Sequence, residues 1–196
     1  GAFRIARNPD AAAVIVAVAA AVALTTLAWS GHAGASEGTA AWVHRASDAL
    51  HMLAAAIWLG AIAGFLLLLR PSEAVTRDSL ALTAQSLDRF APVGTICVFV
   101  IAATGLVNGQ MIVGAANIGR SIGSPYGQLL AIKLVLFAAM LGLAAANRWR
   151  LTPALGRALG EPDIDPAGAA RAMRYSLILE ALAGFAILAL VAWFGM

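Results

Sequence analysis

The chain has 196 residues, 61% of them hydrophobic and 12% charged, where soluble domains carry roughly 45–50% apolar and roughly 25% charged residues. That balance excludes a disordered polypeptide and a soluble two-layer domain, and the single cysteine, Cys97, excludes a disulfide scaffold. The formal charge of +3 and pI near 9.8 do not point to nucleic acid, because the 13 basic residues are scattered among apolar blocks and aromatics make up only 7%. The expected fold class is all-α, a polytopic membrane helix bundle.

A span needs about 20 mostly apolar residues to cross about 30 Å of hydrocarbon. Blocks of that kind cover 11–29, 42–69, 90–113, 126–146 and 173–194, predicting about five transmembrane helices. The first follows Arg4 and Arg7 as a signal peptide would, but it exceeds the usual signal core of about 7–15 residues. Trp29-Ser30-Gly31-His32 is also a poor cleavage site. Residues 70–89 carry Val75, Leu80, Leu82 and Leu87 among charges, which predicts an interfacial amphipathic helix leading into the third span near Pro92. The chain is expected to form a single integral-membrane domain over 1–196, and its opening on Gly1 suggests a longer natural chain.

Arginine placement predicts the topology, since Lys and Arg collect on the cytoplasmic side of short loops. Arg4 and Arg7 precede the first block, Arg70, Arg77 and Arg89 lie between the second and third, and Arg148, Arg150, Arg157, Arg171 and Arg174 lie between the fourth and fifth. These segments are expected inside. Residues 30–41 and the carboxyl end hold no Lys or Arg, and 114–125 only Arg120, so they are expected outside. The spacings Gly60-x-x-x-Gly64 and Gly105-x-x-x-Gly109 predict close helix approach.

The three histidines fall within 20 residues: His32 in the first outer loop, His44 and His51 in the second block. On a helix His44 and His51 lie about 20° apart, with Asp48 about 60° from His51 and Trp58 deeper on the same stripe. His44 then sits at the outer boundary and His51 about 13 Å below it. Imidazole binds late first-row metals, and nitrogen with sulfur suits copper, so His32 folding over His44, Asp48 or His51 would make an externally reached metal site, with Met52 and Met111 as thioether donors. His44 and His51 are about 10.5 Å apart along one helix, too far to share an ion. Either His32 pairs with one of them or the two are successive stops. The blander reading is two solvated interfacial histidines and one partnered in the bundle. It is weighed against the cost of polar residues in a membrane.

Lys133, the only lysine, and Asp48 fall at comparable depths of about 10 Å and 9 Å, so an intramembrane ion pair is expected between them, with snorkelling of Lys133 as the alternative. Glu180 lies inside the fifth block near the depth of Asn147 and Arg148, which suits a polar clamp or a polar pathway. Asn108, with Gln110 and Met111, ends the third block level with the histidines, as supporting residues for them. Cys97 reads as a small buried hydrophobe. No phosphate loop, His-Glu-x-x-His, Cys-x-x-Cys or Gly-x-Ser-x-Gly is present, so no enzyme is expected, and an energy-driven pump would need another subunit.

Four places taken together identify a family. They are Ser30-Gly31-His32-Ala33; the stretch from Ala49-Leu50-His51-Met52 to Ile57-Trp58-Leu59-Gly60; Ser124-Pro125-Tyr126-Gly127-Gln128 through Lys133, followed by Asn147-Arg148 and Pro153; and Tyr175-Ser176-Leu177-Ile178-Leu179-Glu180. In type and order they resemble the copper resistance D (CopD) family of bacterial inner-membrane proteins. Two departures are Ala61 in place of the second Gly of a common Trp-x-Gly-Gly, and the absence of the further upstream spans that family members usually have. The resemblance implies a multi-span protein of the bilayer that moves or delivers copper, Cu(I) or Cu(II), with a periplasmic partner of the copper resistance C type. The alternatives are a membrane domain for oxidase assembly or electron transfer, by copper hand-off or haem binding, and a scaffold without metal. Bis-histidine haem is disfavoured, because only the second block clearly carries intramembrane histidine.

Overall fold

The apolar blocks form long helices in the computed structural model, which describes residues 9–27, 39–70, 76–113, 123–161 and 163–194. In chain order these are α1 (Pro9–Thr26), α2 (Thr39–Leu68), α3 (Arg77–Val113), α4 (Pro125–Ala146), a π-helical turn (Asn147–Leu151), α5 (Thr152–Gly160) and α6 (Pro166–Phe194). Among the described residues there is no strand. Among the described residues four stretches are long and apolar enough to cross a membrane: Ala41–Leu68, Arg77–Met111, Gly127–Gly160 and Pro166–Trp193. The fifth apolar helix, α1, is shorter: 18 residues span about 27 Å, just under the hydrocarbon thickness.

The helices outrun the apolar blocks. α3 starts at Arg77 and α6 at Pro166, well before the expected spans at 90 and 173, because polar residues with good local caps extend them. The Thr76 hydroxyl accepts from the Ser79 amide at 3.2 Å, and Asp165 Oδ1 accepts from the Ala167 amide at 3.0 Å. α4 begins as Ser124-Pro125 dictates, with the Ser124 hydroxyl accepting from the Gly127 amide at 3.1 Å. Pro92 lies inside α3, where it removes one rung of the hydrogen-bond ladder. The π turn precedes Pro153, whose ring would meet the carbonyl four residues back in a regular α-helix; the wider turn relieves that clash.

The chain divides into two compact units, residues 1–56 with 100–114 and residues 57–99 with 115–196. In the first, the interior is made by Ala41, His44, Ser47 and Ala54 of α2 and by Ile101 and Thr104 of α3. In the second it is made by Trp58, Ile62, Phe65, Leu80, Cys97, Met140, Leu155, Met173 and Leu177, with T-shaped ring pairs Trp58–Phe137 and Phe65–Phe90 at 6.3 and 5.6 Å. Buried residues of α2 thus follow one helical stripe that is polar in its first half and apolar in its second. Large apolar side chains such as Phe99, Leu106, Val135 and Phe185 are exposed, as a lipid-facing surface requires.

The glycine spacing did not mark the close approach. A Cβ at Gly60, Gly64 or Gly109 would meet nothing within 4 Å, and one at Gly105 only His51 Cε1 at 3.8 Å. The tight place is Gly184 of α6, where a Cβ would stand 2.6 Å from Leu59 Cδ2 and 3.5 Å from Met140 Cε. Leu59 and Met140 fill that volume with long side chains, so it is their bulk that calls for a glycine, whatever the small residues four apart suggest.

Candidate functional site

In the first unit, α2 brings Ser47, Asp48 and His51 onto α3. His51 is half-buried, and its Nδ1 lies 2.9 Å from Thr104 Oγ1. The Thr104 hydroxyl has one proton, directed at the Val100 carbonyl at 2.6 Å, so toward His51 its oxygen accepts. His51 Nδ1–H is therefore the donor, and in the neutral ring Nε2 keeps the lone pair. The Ser47 hydroxyl donates to the Thr104 carbonyl at 3.2 Å. Four residues further along α3, Asn108 Nδ2 donates to Asp48 Oδ1 at 3.4 Å, while Asn108 Oδ1 is buried without a hydrogen-bond partner among the described residues.

His44 is buried on the same stripe, at 5% exposure, and Met52 is half-buried beside His51 in sequence. Met111, at 40%, and Gln110 are exposed. His32, and with it any meeting with His44, Asp48 or His51, lies outside the described residues. Among the described residues no three of His, Cys, Asp and Glu gather as a metal-holding group. Lys133 is half-buried on α4 in the second unit, whereas Asp48 belongs to the first.

The second unit holds a separate polar cluster. Glu180 is buried to 2% exposure, and both its oxygens accept: Oε1 from Trp58 Nε1–H at 2.7 Å, Oε2 from Asn147 Nδ2 at 2.9 Å. Asn147 is the first residue of the π turn and buried, while Arg148 beside it is exposed. A cavity of about 310 Å³ lies against this cluster, lined in part by Trp58, Phe65, Asp88, Asn147, Arg148 and Glu180.

Sequence reasoning placed Trp58 on the histidine stripe without finding its bond to Glu180, and it did not find Ser47 or Thr104. The signal for those two was present as spacing. Ser47 and His51, like Thr104 and Asn108, are four apart, so each pair shares a helix face within an otherwise apolar stretch.

The family profile described as Copper resistance protein D matches residues 84–194. That stretch contains Asn108, Lys133, Asn147 and Glu180 and leaves His44 and His51 outside it. The chain is 40% identical over 189 residues to Copper resistance protein D of Pseudomonas syringae pv. tomato, covering 96% of this chain and 60% of that one. It is 32% identical over 127 residues to Inner membrane protein YebZ of Escherichia coli, covering 65% of this chain and 42% of the relative. It is 34% identical over 124 residues to Copper transport protein CutJ of Bacillus subtilis, covering 63% and 22%. The chain thus spans less than two thirds of the length of each of these relatives. No solved structure matches it.

Proposed function

The chain belongs to the copper resistance protein D family, and from that premise we propose that it carries copper across, or delivers it at, the bacterial inner membrane. The ion is cargo, received from the periplasmic side by His32, His44 and His51, with Met52 and Met111 assisting. The amino end is cytoplasmic, and a periplasmic copper-binding protein of the copper resistance C type hands over the ion. The relatives named for copper resistance and copper transport, and one named as an inner membrane protein, support this reading.

The observation that carries the histidine role is the Nδ1 contact of His51 with Thr104. A histidine that ligates a metal commonly donates its other ring N–H to a fixed acceptor, which sets the tautomer and orients the ring. Asn108 on Asp48 extends the polar support along the same helix pair. His44 and His51, about 10.5 Å apart, act as successive stations.

The test is Cu(I) and Cu(II) binding by the purified protein in detergent, with zinc as competitor, for wild type and for His32→Ala, His44→Ala and His51→Ala. Copper near one per chain, lost or weakened at least tenfold in His44→Ala or His51→Ala, is the expected result. Unchanged copper binding in all three variants, or none in wild type, overturns the histidine assignment.

A further inference from the structure

We propose that Glu180 is a proton-binding site of the second unit, loaded and unloaded at Oε2 by water entering the adjoining cavity, with the Asn147 carboxamide turning over to match each protonation state. This goes beyond the copper reading and does not depend on it.

The chemistry of the two partners divides the carboxyl group. An indole N–H can only donate, so Trp58 holds Oε1 as an acceptor whether Glu180 is charged or neutral. A carboxamide carries a donor and an acceptor on one carbon. Asn147 Nδ2 now donates to Oε2, which suits a carboxylate, while Asn147 Oδ1 is buried without a partner among the described residues. When Oε2 takes a proton it becomes a donor, and a half-turn of the amide about its terminal torsion presents Oδ1 to receive that O–H. The bare acceptor is thus what the protonated state needs, already in place. Both hydrogen-bond partners of Glu180 are neutral, so no contacting cation pins it in the charged form. Asn147 is 8% exposed and lines the cavity together with Glu180, and it opens a π turn, a feature frequent at functional positions.

The step balances as a simple transfer. A hydronium ion in the cavity gives its proton to Oε2, forming the O–H bond and leaving water; the reverse step returns the proton to water. The other charged residues lining the cavity are Asp88 of α3 and Arg148 of the π turn, both exposed. The residues that α2, α4 and α5 contribute are uncharged, as is Leu177 of α6.

Trp58 is the reporter. With Trp29, Trp42, Trp149 and Trp193 changed to Phe, the copper-free chain is placed in lipid nanodiscs and its fluorescence is followed against pH. The expected result is a one-proton transition that disappears in Glu180→Gln and is displaced by about one pH unit in Asn147→Leu, the size expected from losing a charge-assisted hydrogen bond. Asp88→Asn and Arg148→Gln move the midpoint while keeping the transition. In parallel, infrared spectra of the same Trp58-only protein, with Glu37, Glu73 and Glu161 changed to Gln and the remaining glutamate isotope-labelled, follow a carboxylic-acid band that grows as pH falls, which keeps the test decisive should Glu180→Gln fail to fold. A flat fluorescence curve, a transition surviving in Glu180→Gln, its loss in Asp88→Asn or Arg148→Gln, absence of the titrating band, or a response to sodium chloride in place of pH would each overturn the proposal.

Discussion

The Ser47 hydroxyl donates to the Thr104 carbonyl at 3.2 Å, so the residue of α3 that meets His51 through its hydroxyl is also held through its backbone. Two successive turns of α2 therefore grip one residue, and the orientation of the His51 ring follows from that grip.

Replacing Thr104 by Val keeps its shape and removes the oxygen that receives His51 Nδ1–H. Copper affinity is expected to fall about 10- to 100-fold, the usual cost of losing a group that orients a ligating histidine. Thr104→Ser keeps the oxygen and is expected to stay within a few-fold of wild type. Competition titration with a Cu(I) chelator reads both, and equal affinity in the Val and Ser variants would show that the hydroxyl does not orient the ligand.

Trp58→Phe preserves most of the ring volume but leaves Glu180 Oε1 without its donor in a buried position. A hydrogen bond to a charged group contributes about 1.5–3 kcal/mol, so thermal unfolding in detergent should show a clear loss for Trp58→Phe. Trp193→Phe, on an exposed residue of α6, should change the midpoint little. Equal midpoints would mean that the indole contributes only packing.

Gly184→Val forces two methyl groups toward Leu59 and Met140, and overpacking of this kind costs about 1–3 kcal/mol. Leu59→Ala in the same chain should recover part of the loss, since it removes the atom that lies 2.6 Å from the new Cβ. Gly60→Ala, Gly64→Ala and Gly109→Ala should stay within about 0.5 kcal/mol of wild type. Unfolding midpoints across the five variants check the contrast, and it fails if the latter three cost as much as Gly184→Val.

Arg77, at the start of α3, donates to the carbonyls of Leu159, Glu161 and Ile164, closing the turn between α5 and α6. These bonds are exposed, so Arg77→Ala should cost little global stability while hydrogen exchange and proteolysis at residues 159–165 rise several-fold. Unchanged exchange there would assign the turn to its own local bonds, such as the Ile164 amide to the Glu161 carbonyl.

The long apolar helices were legible because lipid demands unbroken apolar runs, and composition reports those directly. A helix ahead of the third span was expected over 70–89, but its start at Arg77, like that of α6 at Pro166, was not legible, because hydropathy measures the lipid-crossing length while caps such as Thr76 and Asp165 set where the helix begins. The His44, Asp48 and His51 stripe was visible from the 3.6-residue period alone. The partners of Glu180 were not, since the bond to Trp58 joins residues 122 apart and no period of one helix encodes which neighbour it meets. Thr104 escaped because a lone threonine in a span commonly bonds its own helix, as Thr95 does to the Ala91 carbonyl.

The π turn at Asn147–Leu151 makes this part of the molecule sensitive to residue count as well as to residue type. The Thr152 amide bonds the Asn147 carbonyl five positions back, so the turn holds one residue more than an α-turn would. Deleting any one of residues 148–151 would turn this five-back bond into the four-back bond of an ordinary α-turn between the same two partners, so everything beyond it would keep nearly its present orientation. Leu155 and Ala158 would then keep their places in the interior, and the cost of a single-residue gap would fall on Pro153, whose ring would again meet the carbonyl four residues back.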